Sequence, residues 1–252
     1  MIASSTHAYG VSKIERIVRL VLGLALIGIA INVGLTSPGT EAKVVAWGAL
    51  VLAVVAFASF NSGVARAYSR VGLDQNWSLL YLTARLFVGW EFLYAGWTKF
   101  EGNWYSGAGA GEVKGFLGGA VAGSHPTAQN AFPPVSHWFG WTADNVFVSH
   151  SSLLSYVVVS TELFVGIGLI LGLLLRLSAL FGVTLNALFL LSGSLSAGLN
   201  PEMIILGMFI LLGVSPAVYA LSLDRFLLPR LHMIKLPDRS APVPDLTPEA
   251  SA

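Results

Sequence analysis

Arg85, Glu162 and Asn186 each interrupt a long apolar run. A charged or amide side chain at membrane depth is costly, so by default it marks a site or a partner. Glu162 and Asn186 fall near the middle of their runs. Arg85 lies about two turns in from the end of its own, or roughly 10 Å at 1.5 Å per residue. An Arg side chain reaches several ångströms further, so Arg85 and Glu162 are expected to meet, and pairing would keep both charged in a dry interior. Two readings stay open: an ion pair that only fixes helix packing, and a polar pocket that receives a quinone head group or passes a proton.

Such residues need helices to carry them. The chain has 252 residues, 55% hydrophobic and 11% charged. A soluble domain carries about 25% charged residues, so this balance indicates an integral membrane protein in a lipid bilayer. Six apolar runs, at 17–35, 44–60, 79–97, 153–173, 177–198 and 203–221, are each about as long as a spanning helix. The expected fold is all-α, a polytopic membrane helix bundle of six transmembrane helices.

Charge sets the orientation. Lys13, Arg16 and Arg19 precede the first run, and Arg66 and Arg70 follow the second. Arg176 separates the fourth and fifth, and Arg225, Arg230, Lys235 and Arg239 follow the sixth. Six spans put all of these on one side and leave Lys43, Lys99 and Lys114 on the other. The positive-inside rule then places both termini in the cytoplasm, with the chain multi-pass in the cytoplasmic (inner) membrane. Arg19 reads as one of these anchors. The first run has a basic start, but no small-x-small site follows at 36–41, so it is expected to stay as a span.

The runs also carry stripes. Arg85, Gly89, Phe92, Gly96 and Lys99 recur at helical spacing and share one face, with glycines for close approach between two cations. Glu91, Tyr94 and Thr98 fall on a different face. Ser151, Ser155, Glu162 and Gly166 share a face of the fourth run, and Ser178, Gly182, Asn186, Gly193 and Ala197 one of the fifth. Three polar, small-residue stripes predict a common interior. Lys99 reads either as snorkelling to the outer surface or as drawing in an anionic substrate with Asn200. Asn200-Pro201-Glu202 has the composition of an ordinary helix start. Ser215-Pro216 is expected to end or kink the last helix.

The remaining segments set limits. Residues 100–150 are expected to form one Gly-rich outer loop holding Trp104, Trp138 and Trp141, read as an aromatic belt or as a lid. Residues 1–16 and the polar tail at 231–252 are assigned to the cytoplasm, the tail as disordered. The chain has no cysteine, which excludes disulfides, thiolate metal sites and iron–sulfur clusters. Its histidines all fall outside the apolar runs and lack metal-ligand spacing, so neither haem nor a metal is expected. A net charge of +1 gives no nucleic-acid signal.

The segments RLFVGWEFLYAGWTKF at 85–100, TELFVGIGLILGLLLR at 161–176 and NALFLLSGSLSAGLNPE at 186–202 resemble the DoxX/DoxD family of small membrane proteins. The first fits that family's Arg…Gly…Ala-Gly-Trp-x-Lys pattern, the second its Glu-Leu…Gly-x-Gly-Leu…Gly pattern. The resemblance covers 79–230 and implies a four-helix DoxX-like core, with an extra N-terminal transmembrane hairpin at 17–78. It implies an activity like that of DoxD, the large subunit of thiosulfate:quinone oxidoreductase, which oxidises thiosulfate to tetrathionate and reduces a membrane quinone. A DoxA-like subunit and a terminal quinol oxidase are the implied partners. On this reading Glu162 and Arg85 are the catalytic candidates. Arg85, Glu162, Asn186 and Trp97 would contact the quinone, and Lys99 and Asn200 the anionic substrate. The alternative is a non-catalytic accessory subunit of a respiratory membrane complex. A small transporter ranks below both, since no discontinuous helix or inverted repeat is visible. The chain departs from the family in its two extra spans, in its long Gly/Trp segment, and in Glu91, which stands where an apolar residue is expected.

Overall fold

The computed structural model describes residues 12–36, 39–58, 65–125, 135–193, 200–213 and 215–230. These residues form helices joined by turns, with no strand among them. A hairpin of α1 (Lys13–Thr36) and α2 (Thr40–Ala58) leads through the short α3 (Ala65–Val71) to α4 (Ser78–Glu101). Then come α5 (Gly107–Gly123), α6 (His137–Thr142) with a π turn at Ala143–Phe147, α7 (Ser151–Leu171), α8 (Leu175–Leu191), α9 (Asn200–Leu212) and the short α10 (Asp224–Leu227). α1 and α7 are long and apolar enough to cross a bilayer, and Lys43–Ala58, Leu175–Leu191 and Pro201–Leu212 are shorter apolar helices.

The stripes face inward. Arg85, Gly89, Phe92 and Gly96 are buried on α4, Ser151, Ser155, Glu162 and Gly166 on α7, and Ser178, Gly182 and Asn186 on α8. Ala197 lies outside the described residues, and Gly193 falls in the turn beyond α8 at φ 78°. Small residues let α4 and α7 approach closely, as membrane helices require. A Cβ added at Gly96 would stand 2.9 Å from the Leu163 backbone nitrogen, and one at Gly166 2.5 Å from that of Leu93. Val88, Phe92, Val165, Leu169, Ala179, Leu185 and Ile210 fill the core between α4, α7, α8 and α9.

The opposite surface of α1 and α2 is apolar and exposed, with Ile14, Ile17, Val21, Leu24, Trp47, Val51 and Val54 facing out. Such a face suits lipid rather than water. The hairpin is joined to the rest by a buried polar cluster. Arg19 pairs with Glu15 at 3.0 Å and donates to the carbonyls of Leu73 and Gln75 at 2.7 and 2.9 Å and to Ser78 Oγ at 3.1 Å. Arg19 is therefore not a surface anchor. It is 1% exposed and satisfies the carbonyls of the turn that leads into α4.

Charged side chains close the helix ends on this same side. Asp224 accepts from the backbone N–H groups of Leu174 and Leu175 at 2.8 and 2.7 Å, capping α8 from a remote position. Arg176 donates to the carbonyls of Leu211 and Gly213 at 2.7 and 2.6 Å, closing the end of α9. Backbone groups in an apolar medium must be satisfied internally, and these side chains do that where helix geometry stops doing so.

Two expected elements differ from those observed. The run at 203–221 is not one helix: α9 ends at Leu212, and a 3₁₀ turn follows at Pro216–Tyr219, with Ser215 Oγ accepting from the Ala217 N–H at 3.2 Å. Proline lacks the N–H that a continuing helix needs. Nor is 100–150 a loop. α5 runs for 17 residues and packs on α7 and the π turn through Val113, Leu117, Ala120, Phe139 and Ala143.

Candidate functional site

A cavity of about 510 Å³ opens between α4, α5, α7 and α8. α4 supplies Glu91, Phe92, Ala95 and Lys99, and α5 supplies Glu112, Val113, Phe116 and Leu117. Leu154, Val158 and Glu162 come from α7, and Leu185, Asn186, Leu188 and Phe189 from α8. Trp104, Phe139, Phe147, Ser192 and Met203 complete the wall. A mostly apolar, aromatic lining with a few convergent polar groups is the usual composition of a small-molecule site.

Its polar centre is an ion pair. Lys99 Nζ donates to Glu162 Oε1 and Oε2 at 2.7 and 2.8 Å. The ammonium also lies 5.5 Å from the centroid of the Trp104 ring, within cation–π range. Lys99 thus turns inward instead of snorkelling outward. Asn186 is the second polar element: it is 4% exposed and its Nδ2 has no hydrogen-bond partner among the described residues. A buried amide left unsatisfied costs free energy unless something else fills it.

The expected Arg85–Glu162 pair does not form. Arg85 donates from Nη1 to the Ala220 carbonyl at 2.9 Å and from Nη2 to the Leu221 carbonyl at 2.8 Å. Its residues of contact lie beyond α9, and it does not line the cavity. Arg85 sits near the start of α4 and Lys99 near its end, so α4 delivers one cation to each end of the bundle. Lys99 is the one that reaches Glu162. Trp97 also lies outside the cavity: it is 52% exposed and its Nε1 donates to Glu101 at 2.9 Å. The side chain of Asn200 lies outside the described residues.

The structure therefore brings Lys99, Glu162 and Asn186 together and leaves Arg85 and Trp97 apart. It adds Glu91, Glu112 and Trp104. Glu91 carried a signal, being a carboxylate inside an apolar run. The sequence reading put it on another face than Lys99, yet Glu91, Ala95 and Lys99 succeed one another at four-residue steps and all line the cavity.

The elements that build this pocket, α4 through α8, are also the ones that carry a recognisable pattern. Residues 80–193 match the DoxX family model. The chain carries a DoxX domain over these residues. Lys99, Glu162 and Asn186 all fall within the matched DoxX region, as do α5 and Trp104. The DoxX domain and the apolar helices α1 and α7 indicate a membrane protein. No curated protein and no solved structure matched the chain.

Proposed function

We propose that this protein is the membrane subunit of a quinone-linked oxidoreductase, with the cavity between α4, α5, α7 and α8 receiving the quinone head group. The observation that carries the reading is Asn186 Nδ2, a buried donor on the wall of an aromatic cavity, without a partner among the described residues. A quinone carbonyl is an acceptor of the kind this donor lacks, and its ring suits Phe92, Phe116, Phe147 and Phe189. Bound there, a quinone would supply two-electron, two-proton redox chemistry. Glu162 is the group placed to exchange protons, and Lys99 holds its carboxylate in position. The proposal includes six spans in the inner membrane with both termini cytoplasmic, so that the cavity opens toward the outer half of the bilayer.

The resemblance to DoxD makes thiosulfate the electron donor of this proposal. Lys99 gives an anion subsite little support, because Glu162 already holds its ammonium. The chain also has no cysteine, so electrons from sulfur need a group on a DoxA-like or other partner. The same fact favours the second reading, an accessory subunit of a terminal oxidase or similar complex.

The test is equilibrium binding of decylubiquinone to the purified protein and to Asn186→Leu, followed by thiosulfate-dependent quinone reduction in membranes. Wild-type binding that Asn186→Leu abolishes supports the site. Equal binding by both removes it. Stoichiometric co-purification with oxidase subunits, without thiosulfate-dependent turnover, selects the accessory reading.

A further inference from the structure

Leu188 belongs to two surfaces at once. Leu177, Leu180, Thr184, Leu188 and Leu191 are exposed on α8 and follow one another at three- and four-residue steps, so they share its outer face. Apart from Thr184 that stripe is apolar, the kind of surface that meets a membrane. Leu188 also lines the cavity. The cavity therefore opens through the outer face of α8.

The facing edge of this mouth is Phe116 of α5, which lines the cavity and is 38% exposed. Its ring meets that of Phe189 on α8 edge to face, with centroids 5.9 Å apart. An exposed ring changes rotamer fast and without disturbing the core. Asn186 precedes Phe189 by less than one turn, about 4.5 Å along the axis at 1.5 Å per residue. Its buried Nδ2, unpartnered among the described residues, thus lies close behind the ring pair. Glu112, exposed and also in the lining, marks the polar edge of the cavity. The approach past Phe116 and Leu188 is apolar. A molecule dissolved in lipid crosses it without losing hydration, whereas a hydrated one must shed its water.

We infer that the cavity is loaded sideways from the bilayer, between α5 and α8, with Phe116 against Phe189 as its gate. It takes lipid-dissolved, ring-bearing molecules whose acceptor oxygen reaches Asn186. The inference rests on the quinone reading for its ligand and on Leu188 for its route.

The chain has no cysteine, so Leu188→Cys and Leu180→Cys each place a single thiol on the α8 stripe. The first stands at the cavity and the second about 12 Å away along the helix at 1.5 Å per residue. The experiment uses the whole chain in phospholipid nanodiscs. A nitroxide on Leu188→Cys is expected to be relaxed more by oxygen, which concentrates in lipid, than by a water-soluble nickel chelate. Pyrene maleimide on Leu188→Cys should slow decylubiquinone association roughly tenfold, as an obstructed encounter does. The same adduct on Leu180→Cys should leave the rate unchanged. Phe116→Ala, which removes the gate ring, should speed both association and dissociation. A nitroxide relaxed mainly by the chelate, equal rates with and without the Leu188→Cys adduct, or Phe116→Ala exchanging no faster than wild type overturns the inference. No decylubiquinone binding by the unmodified protein sinks the quinone reading, and the nitroxide still decides whether the mouth faces lipid. Quinone binding that ignores the Leu188→Cys adduct keeps the quinone reading and sinks this one.

Discussion

Lys99 Nζ bridges both carboxylate oxygens of Glu162, at 2.7 and 2.8 Å, from α4 to α7. The Glu162 side chain is 2% exposed and that of Lys99 is 23% exposed. An ion pair so placed does not strongly stabilise a fold against an apolar replacement, but removing one partner leaves an uncompensated buried charge. Lys99→Met is therefore expected to lower the unfolding free energy by about 3 kcal/mol. The double variant Lys99→Met/Glu162→Met should recover most of that loss. Unfolding in detergent checks both, and a double variant as unstable as the sum of its singles would show that the two residues are not coupled.

The α4–α7 contact makes a sharper prediction at its glycines. At Gly166 an added Cβ would meet backbone, 2.5 Å from Leu93 N and 2.6 Å from Leu93 Cα. The helices must separate to admit it. Gly166→Ala should cost about 1–3 kcal/mol, as overpacking does. Gly115 and Gly118 on α5 have nothing within 4 Å of an added Cβ. Gly115→Ala and Gly118→Ala should each stabilise by about 0.4–1 kcal/mol, because alanine loses less chain entropy in a helix. Thermal midpoints of the three variants should move in opposite directions.

What the sequence disclosed follows from which interactions are local. The buried stripes on α4, α7 and α8 repeat every three or four residues, so the pattern of Gly96 and Phe92, or of Ser155 and Glu162, is visible without a structure. The partners of Arg85 are not. They are the carbonyls of Ala220 and Leu221, more than a hundred positions away, and backbone carbonyls carry no residue-type signal. Depth and face placed Arg85 in the interior, as found, but at the wrong end to meet Glu162. α5 escaped notice because its seven glycines read as loop, although tertiary packing against α7 decides its conformation. Arg19 was hidden among cations that the positive-inside pattern explains equally well.

Arg85 and Asp224 are expected to act on stability alone. Arg85→Met leaves the buried Ala220 carbonyl and the part-buried Leu221 carbonyl without their donor and should cost about 1–3 kcal/mol. Asp224→Asn weakens the cap on Leu174 and Leu175 and should cost about 1 kcal/mol. Neither residue lines the cavity, so the protein that remains folded should bind decylubiquinone as wild type does. A binding defect in folded Arg85→Met would return Arg85 to the site and contradict the separation described above.

Asn186 should show the opposite combination. Its Nδ2 is buried and unpartnered among the described residues, a condition that costs stability as long as the cavity holds no acceptor. Leucine has nearly the same size and no polar atom. Asn186→Leu is therefore expected to raise the stability of the ligand-free protein by about 1 kcal/mol. Added decylubiquinone should raise the thermal midpoint of wild type in a concentration-dependent way, since a ligand that binds only the folded state stabilises it by mass action. The same additions should leave Asn186→Leu unmoved. A structural amide would give the reverse result: the leucine variant would be less stable than wild type, and the quinone would shift both proteins alike. The sign of the change in the ligand-free protein thus separates an amide kept for a ligand from one kept for packing.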